Sequence, residues 1–204
     1  YSAYTRYTNI ERYAASKNIA VVMPSADHSF YTDMEYGHKY FTYISEEVPN
    51  FVRNIFPLSD KREDNFIAGH SMGGYGSFKF ALLKPDSFAA AASLSGALNI
   101  NRFFTEGPLN GFNTKSIYGD AKSITNTEND LFYLLENNAK NNIILPKLYQ
   151  TCGTEDFLYE DNTKFRDLAN NLNIDLTYEE GPGEHEWGFW DASIQRVLDW
   201  LPIK

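Results

Sequence analysis

Residues 66–75, FIAGHSMGGY, are the stretch that decides the fold. An apolar run leads into three glycines around Ser71, and a run of helical character follows. Such a serine is typical of a nucleophile elbow, G-x-S-x-G, in which a sharp turn between a strand and a helix raises the serine above the sheet. Gly69 and Gly73 lie two residues before and after it, where the tight turn has room only for small residues. We therefore predict that Ser71 is a nucleophile.

The first residue of the predicted helix, Met72, is a candidate oxyanion donor through its backbone N–H. Loss of one such donor typically costs about 3 to 4 kcal/mol of transition-state stabilisation. The alternatives are a phosphate-binding loop and a plain tight turn. A phosphate loop requires Gly-Lys-Ser/Thr after the glycines. The first lysine after Ser71 is Lys79, which comes late in the predicted helix.

Short apolar runs alternate with helical patterns along the rest of the chain. The predicted strands are 19–24, 65–69, 88–94, 143–151 and 174–178. The predicted helices lie within 38–56, with a kink or restart at Pro49, and within 75–83, 130–138, 165–172 and 187–201. This alternation predicts an α/β fold, with a mostly parallel sheet covered by helices on both faces.

Residues 97–141 break this rhythm and are too long for an ordinary connection. We expect them to form a cap-like insertion over the carboxyl ends of the strands, where ligands bind in such sheets. The 204 residues, 43% of them hydrophobic, fit a single domain over 1–204, and the insertion is part of it.

The bulk composition excludes several kinds of partner. A net charge of −9 argues against nucleic acid and anionic membrane surfaces, and no apolar run approaches the roughly 20 residues of a membrane span. The single cysteine, Cys152, cannot form an internal disulfide and is compatible with a reducing compartment, so we expect a cytoplasmic protein. Homo-oligomerisation stays open.

A serine nucleophile needs a base and an acid, in the chain order Ser, acid, His. His185 is the one histidine beyond Ser71, and it lies in a glycine-containing loop between the last strand and the last helix. We predict that it is the base. The remaining histidines are expected to be solvated, to line a pocket or to point away from the serine: His28, His38 and His70.

The acid is predicted in the loop after the fourth strand, CGTEDFL. Asp156 would fix the imidazole tautomer and stabilise the imidazolium. Glu155 is the neighbouring rival, and the two side chains would point apart in an extended loop. Glu160 and Asp161 are expected to form a solvated helix start. Ser71, Asp156 and His185 together predict a site for acyl transfer.

Several aromatic residues are candidates for the walls of a substrate pocket. They are Phe30, Tyr31 and Trp187, of which Trp187 lies two residues from His185. The alternative is that they belong to the core, and for Trp190 the helical spacing favours the core.

The chain resembles the bacterial putative-esterase branch of the α/β-hydrolases, close to tributyrin, acetyl and feruloyl esterases. The matching segments are VVMPSADHSFYTDMEYG, FIAGHSMGGYGSFKFAL, CGTEDFLYEDN and GEHEWGFWDASI. In that family the elbow serine, the aspartate of GTED and the histidine of HEW act together, which implies the same roles for Ser71, Asp156 and His185. The resemblance implies a serine esterase for short-chain or aromatic acyl groups, acting through an acyl-enzyme, with no metal or organic cofactor.

The sequence departs from the family at its front. Members extend further, with two or three more strands and a His-Gly-type loop that would supply a second oxyanion donor. Residues 1–18 match neither, so we expect a sheet without these strands. Either the chain here is a fragment, or the front portion is a separate piece that packs against it; if that portion is absent altogether, the sheet has an uncovered edge and the oxyanion hole has one donor.

Other functions share these residues. A thioesterase resembling S-formylglutathione hydrolase would use the same triad, and so would an acyltransferase in which an alcohol replaces water. A catalytically inactive, carbohydrate-directed binding domain is the alternative from outside the enzymes.

Overall fold

A computed structural model of the protein describes residues 2–107 and 111–203, and its centre is a four-stranded sheet. The strands are Phe66–His70 (β1), Ala90–Leu94 (β2), Lys147–Gly153 (β3) and Leu176–Gly181 (β4). They pair in the order β1-β2-β3-β4, and every pair is parallel. The predicted α/β fold is confirmed. The carboxyl ends of all four strands meet at one edge.

Helices connect and flank these strands. They are Ser2–Tyr7 (α1), Ile10–Ala14 (α2), Tyr40–Thr42 (α3), Val48–Ile55 (α4), Met72–Leu83 (α5), Arg102–Thr105 (α6), Thr114–Tyr118 (α7), Leu131–Lys140 (α8), Tyr159–Asn171 (α9) and Trp187–Trp200 (α10). Short helical turns lie at Arg62–Asp64 and Pro85–Ser87. Across the described ranges, none of the helices has the length and apolar character needed to cross a membrane.

A π-helical segment, Tyr43–Glu47, joins α3 to α4. Pro49 follows as the second residue of α4, and the backbone stays helical across this junction, with Glu47 and Val48 in the right-handed α region. The predicted kink or restart is seen only as a change from π-helical to α-helical hydrogen bonding just before the proline, within a continuous helix.

The sheet separates two hydrophobic clusters. The larger one contains side chains of α5, α8 and α9, and the smaller one packs α2 and α10 against the other face. Successive side chains of β2 point to opposite faces of the sheet, so that Ala91 lies in the larger cluster and Ala92 in the smaller. β2 is buried throughout because helices cover both of its faces and strands cover both of its edges.

The prediction of a first strand over 19–24 is wrong. These residues have no regular secondary structure, and Val21 and Val22 are 40% and 45% exposed. A strand buried on both faces needs a partner along its edge, and within the described residues the sheet begins at β1. Accordingly β1 pairs with β2 alone and its Ala68 is exposed, as expected for an edge strand.

The segment 97–141 contains one helix that the sequence predicts and two that it does not. The predicted helix over 130–138 is α8, and the Asp130 side chain caps it by accepting hydrogen bonds from two backbone amides. The shorter α6 and α7 lack a clear periodic pattern, and so do α1 and α2 near the front. Buried side chains such as Phe103 and Ile117 anchor the segment in the larger cluster. Residues 108–110 lie outside the described residues.

Candidate active site

Ser71 occupies the sharp turn between β1 and α5 that the sequence predicts. Its φ of 53° and ψ of −120° place a non-glycine residue in a sparsely populated conformation. A Cβ atom on Gly69 would lie 2.3 Å from the carbonyl oxygen of Gly73, so the turn closes only with glycine at position 69. The Ser71 amide donates to the carbonyl of Leu94 at 2.9 Å, which fixes the turn to β2.

A chain of hydrogen bonds runs from Ser71 through His185 to Asp156. The Ser71 Oγ lies 2.9 Å from His185 Nε2, and His185 Nδ1 lies 2.8 Å from Asp156 Oδ2. With Nδ1–H donating to the carboxylate, Nε2 is free to accept the serine proton. Ser71 follows β1, Asp156 follows β3 and His185 follows β4, so the parallel sheet brings the three together at its carboxyl edge.

Asp156 is 5% exposed, and the backbone amide of Leu158 donates to its Oδ1 at 2.8 Å. Both carboxylate oxygens therefore have a donor. The His185 side chain keeps 19% of its surface exposed. The site thus combines a buried acid with a histidine that solvent and small molecules can reach.

Glu155 points away from His185 and braces the loop that carries it. Its carboxylate accepts hydrogen bonds from the Gly183 amide at 2.5 Å and from the Thr154 hydroxyl at 2.8 Å, and these bonds lower the pKa of Glu155. The Glu155 amide in turn donates to the Gly183 carbonyl at 3.1 Å. Sequence reasoning named Glu155 only as a rival acid and missed this brace, because it depends on two loops meeting.

Asp161 corrects the expectation of a solvated helix start. It is 3% exposed and accepts hydrogen bonds from Arg102 Nη1 at 2.5 Å and Asn99 Nδ2 at 3.1 Å. This ion pair ties α9 to the start of the 97–141 segment. Glu160, by contrast, is exposed and pairs with Lys164 as a surface group would.

His70 lies in an aromatic cluster on the other side of the elbow. Its ring centroid is 5.2 Å from that of Tyr4, 4.7 Å from Trp187 and 4.3 Å from Trp190. Burial, and secondarily the charge on His185, lower the pKa of His70 to about 4. His70 is therefore neutral at neutral pH and is a packing residue. Trp187 also stacks on Tyr7, at 5.0 Å.

Two aromatic rings flank His185. Trp190 meets it edge to face at 4.8 Å and is 6% exposed, so it is a core residue that also supports the imidazole. Phe157 lies 4.7 Å from the imidazole and is 56% exposed. Sequence reasoning placed Trp190 in the core and missed Phe157, which nothing but its position directly after Asp156 distinguishes.

Phe30 and Tyr31, the neighbouring residues predicted as pocket walls, lie in different surroundings. Phe30 is 2% exposed and packs on Tyr75 and on two phenylalanines, which places it in the core. Tyr31 lies against α5: a Cβ atom on Gly73 would be 3.3 Å from its hydroxyl, and one on Gly76 would be 2.4 Å from its ring. Tyr31 is therefore next to the first turns of the elbow helix.

The other two histidines are exposed and lie apart from the hydrogen-bond chain. His28 Nδ1 is 2.7 Å from the carbonyl oxygen of Gly111, and the His38 ring contacts Tyr40. In the part of the chain that the structure describes, no three His, Cys, Asp or Glu side chains are grouped in a way that could hold a metal ion.

A cavity of about 730 Å³ lies between β4 and α10. Its lining residues include Glu180, Gly183, Glu186, Phe189 and Arg196, and they do not include Ser71, Asp156 or His185. The hydrogen-bond chain, and not this cavity, defines the candidate site.

A parallel sheet with helices on both faces, a strand–turn–helix elbow and acid and histidine loops at the carboxyl edge define an α/β-hydrolase. The chain belongs to the esterase family described as "Putative esterase", whose model matches residues 2–201. An acetyl esterase of Caldicellulosiruptor saccharolyticus is 34% identical over 191 residues, which are 90% of this chain and 72% of that protein.

Two solved structures from Staphylococcus aureus are similar at 46% identity, and each comparison covers 98% of this chain and 78% of the other. One is the fluorophosphonate-binding serine hydrolase FphF, with a TM-score of 0.93. The other is the S-formylglutathione hydrolase FrmB, with a TM-score of 0.88. The predicted family and the predicted class of ester hydrolase are confirmed.

Proposed function

We propose that the protein hydrolyses carboxylic esters of short-chain or aromatic acids with Ser71, His185 and Asp156 as its catalytic triad. The observation that carries this proposal is the unbroken hydrogen-bond chain from the Ser71 hydroxyl, across both nitrogens of His185, to the buried carboxylate of Asp156. The family membership supports the ester as the bond that is cleaved.

In the first half of the reaction, Ser71 Oγ attacks the ester carbonyl carbon while His185 Nε2 takes the hydroxyl proton. The tetrahedral intermediate collapses, the carbon–oxygen bond to the alcohol breaks, and His185 returns the proton to the leaving oxygen. In the second half, water attacks the acyl-enzyme with His185 as the base, and the acid is released.

Asp156 keeps His185 in the tautomer that accepts at Nε2, and its negative charge stabilises the imidazolium that forms. Met72 is the proposed oxyanion donor. It is the first residue of α5, and amides in the first turn of a helix have no intrahelical acceptor. The positive end of the helix dipole adds to this stabilisation of a developing negative charge.

The 97–141 segment is proposed as the cap that selects the acyl group, with Tyr31 and Trp187 as walls. Its contacts with the turn that carries Tyr31 support this: His28 Nδ1–H donates to the Gly111 carbonyl oxygen at 2.7 Å, and the ring centroids of Phe112 and Phe30 lie 4.7 Å apart. The acetyl esterase relative favours a short acyl group.

A thioesterase is the second candidate, favoured by the 46% identity to an S-formylglutathione hydrolase. The same triad cleaves both bonds, so the leaving atom is what separates the two functions. Paired oxygen esters and thioesters with one acyl group, at equal concentration, compare them directly.

The test is hydrolysis of p-nitrophenyl acetate and butyrate by the wild-type protein and Ser71→Ala. We expect turnover in the wild type and a loss of at least about 1,000-fold in the variant. A fluorophosphonate should label the wild type at Ser71, as identified by peptide mass. A folded wild-type protein that neither turns over nor labels would favour the binding-domain alternative.

A further inference from the structure

Lys79 is a buried ammonium group on α5, two turns after the nucleophile. It is 1% exposed, and among the described residues no carboxylate forms an ion pair with it. Burial lowers the pKa of Lys79 to about 7, and the more distant charges of Glu128 and Asp33 act in the opposite direction. Burying a lysine ammonium group without a carboxylate partner costs free energy of folding, and a function for the Lys79 contacts would account for keeping it.

The Lys79 Nζ joins two segments to the elbow helix. It donates to Asn129 Oδ1 at 2.6 Å and to Thr32 Oγ1 at 2.9 Å. It also lies 5.4 Å from the ring centroid of Phe41 and 5.9 Å from that of Tyr75. Through one group, the turn around Thr32 and the segment around Asn129 are both fixed to α5.

The turn that Lys79 holds is strained. Phe30 and Tyr31 have φ values of 48° and 51°, and two consecutive non-glycine residues in this region persist only where surrounding contacts hold them. The Thr32 hydroxyl donates to the Phe30 carbonyl at 3.1 Å, which connects Lys79 to the strained residues. Tyr31 in turn lies against Gly73 and Gly76 of α5, and Gly73 directly follows Met72 in the chain.

We propose that Lys79 is a positioning residue for substrate binding: it holds the turn 29–33 so that Tyr31 stays against the first turns of α5, the helix that begins with the proposed oxyanion donor Met72. The proposal rests on the proposed function. Lys79 contacts none of the triad residues, so it acts on the acyl-binding side through Tyr31 and leaves the proton transfers to His185.

The experiment compares Lys79→Met with Asn129→Ala, which removes the acceptor and leaves the lysine. Lys84→Met is the matched control, since Lys84 follows α5 and its side chain is 40% exposed. For each protein, KM and kcat for p-nitrophenyl butyrate, the rate of Ser71 labelling by a small fluorophosphonate and the thermal midpoint are measured.

We expect Lys79→Met to raise KM about tenfold, with kcat and the labelling rate within about twofold of the wild type. Asn129→Ala should raise KM by a smaller factor, and Lys84→Met should change nothing. If Lys79→Met does not fold, the half-buried Asn129 carries the test by itself, because its truncation leaves the core intact.

Two results overturn the proposal. One is a lowered thermal midpoint with KM unchanged in both variants, which is what a purely structural lysine would give. The other is an equal fall in kcat and labelling rate, which would mean that Lys79 acts on the triad. Absence of Ser71 labelling in the wild type would instead remove the proposed function, so the two failures are distinguishable.

Discussion

Helices α5 and α4 are both apolar on at least one side, yet the molecule uses them in opposite ways. In α5, residues 74–82 are all buried, including the lysine. In α4, no residue is buried, and Phe51 and Ile55 are 65% and 56% exposed. α5 packs on β1 and β2 and directly follows the proposed nucleophile, Ser71, whereas α4 lies outside the sheet layers. A substitution in or beside α5 should therefore alter both catalysis and the free energy of unfolding, whereas a substitution on α4 should alter neither.

The largest expected effect is at Asp156, the proposed acid that orients His185 beside the start of α5. Asp156→Asn should lower kcat about 10,000-fold, because the amide favours the wrong imidazole tautomer. Steady-state hydrolysis of p-nitrophenyl acetate measures it. Asp167→Asn, on the exposed face of α9, is the control and should leave kcat unchanged. A loss below about tenfold in Asp156→Asn would mean that another carboxylate orients His185.

Gly69→Ala tests the close approach of β1 to α5. The added Cβ would lie 2.3 Å from the Gly73 carbonyl oxygen, so the elbow must shift, and we expect a loss of about 3 kcal/mol of unfolding free energy together with the activity. Gly181→Ala is the matched control at the end of β4, where an added Cβ would have nothing within 4 Å. Urea unfolding compares the two, and equal stabilities would contradict the packing argument.

The buried lysine of α5 predicts a pH dependence of the free energy of unfolding. Because burial lowers the pKa of Lys79 from 10.5 to about 7, the unfolded chain binds more protons between these values. Stability should therefore rise with pH through this window, by about 1 kcal/mol per pH unit, and the full cost of burying the charge should be present below about pH 7.

Urea unfolding at pH 7, 8 and 9 measures this slope. Other groups also titrate, so the quantity to compare is the difference between the wild type and Lys79→Met, with Lys84→Met as the exposed reference. A difference that does not change with pH would show that Lys79 is protonated throughout the range.

The smallest expected effect is on α4. Phe51→Ser should change the unfolding free energy by less than about 0.5 kcal/mol, since the ring is already in solvent. Phe78→Ser, the same change at a fully buried position of α5, should cost about 3 to 5 kcal/mol. Similar losses of unfolding free energy in Phe51→Ser and Phe78→Ser would mean that the apolar face of α4 is covered in solution.

The sequence predicts best where one local pattern determines the structure. The glycines at 69 and 73 predict the elbow, in which a Cβ on Gly69 would collide with the Gly73 backbone and one on Gly73 would lie 3.3 Å from the Tyr31 hydroxyl. The single histidine after Ser71 leaves one candidate base. Periodicity predicts which residues of α4 share a face, but it does not say what covers that face. The apolar run 19–24 likewise has the composition of a strand, but strand formation depends on a partner edge.

Long-range contacts explain the remaining differences. Asp161 looks like a solvated carboxylate beside Glu160, and its burial depends on Arg102, which lies far away in the chain. Lys79 looks like an ordinary helix lysine until Thr32 and Asn129 are seen to converge on it. Neither contact has a local sequence signature.

The parallel register also determines when the site can exist during folding. The bond between His185 and Asp156 joins residues 29 apart, and the bond between His185 and Ser71 joins residues 114 apart. Contacts of such separation form late, because long loops must close first. Helices can therefore form in a refolding chain before β4 has paired, but ester hydrolysis must await the last strand. Recovered activity is thus a stricter measure of complete folding than recovered helix content.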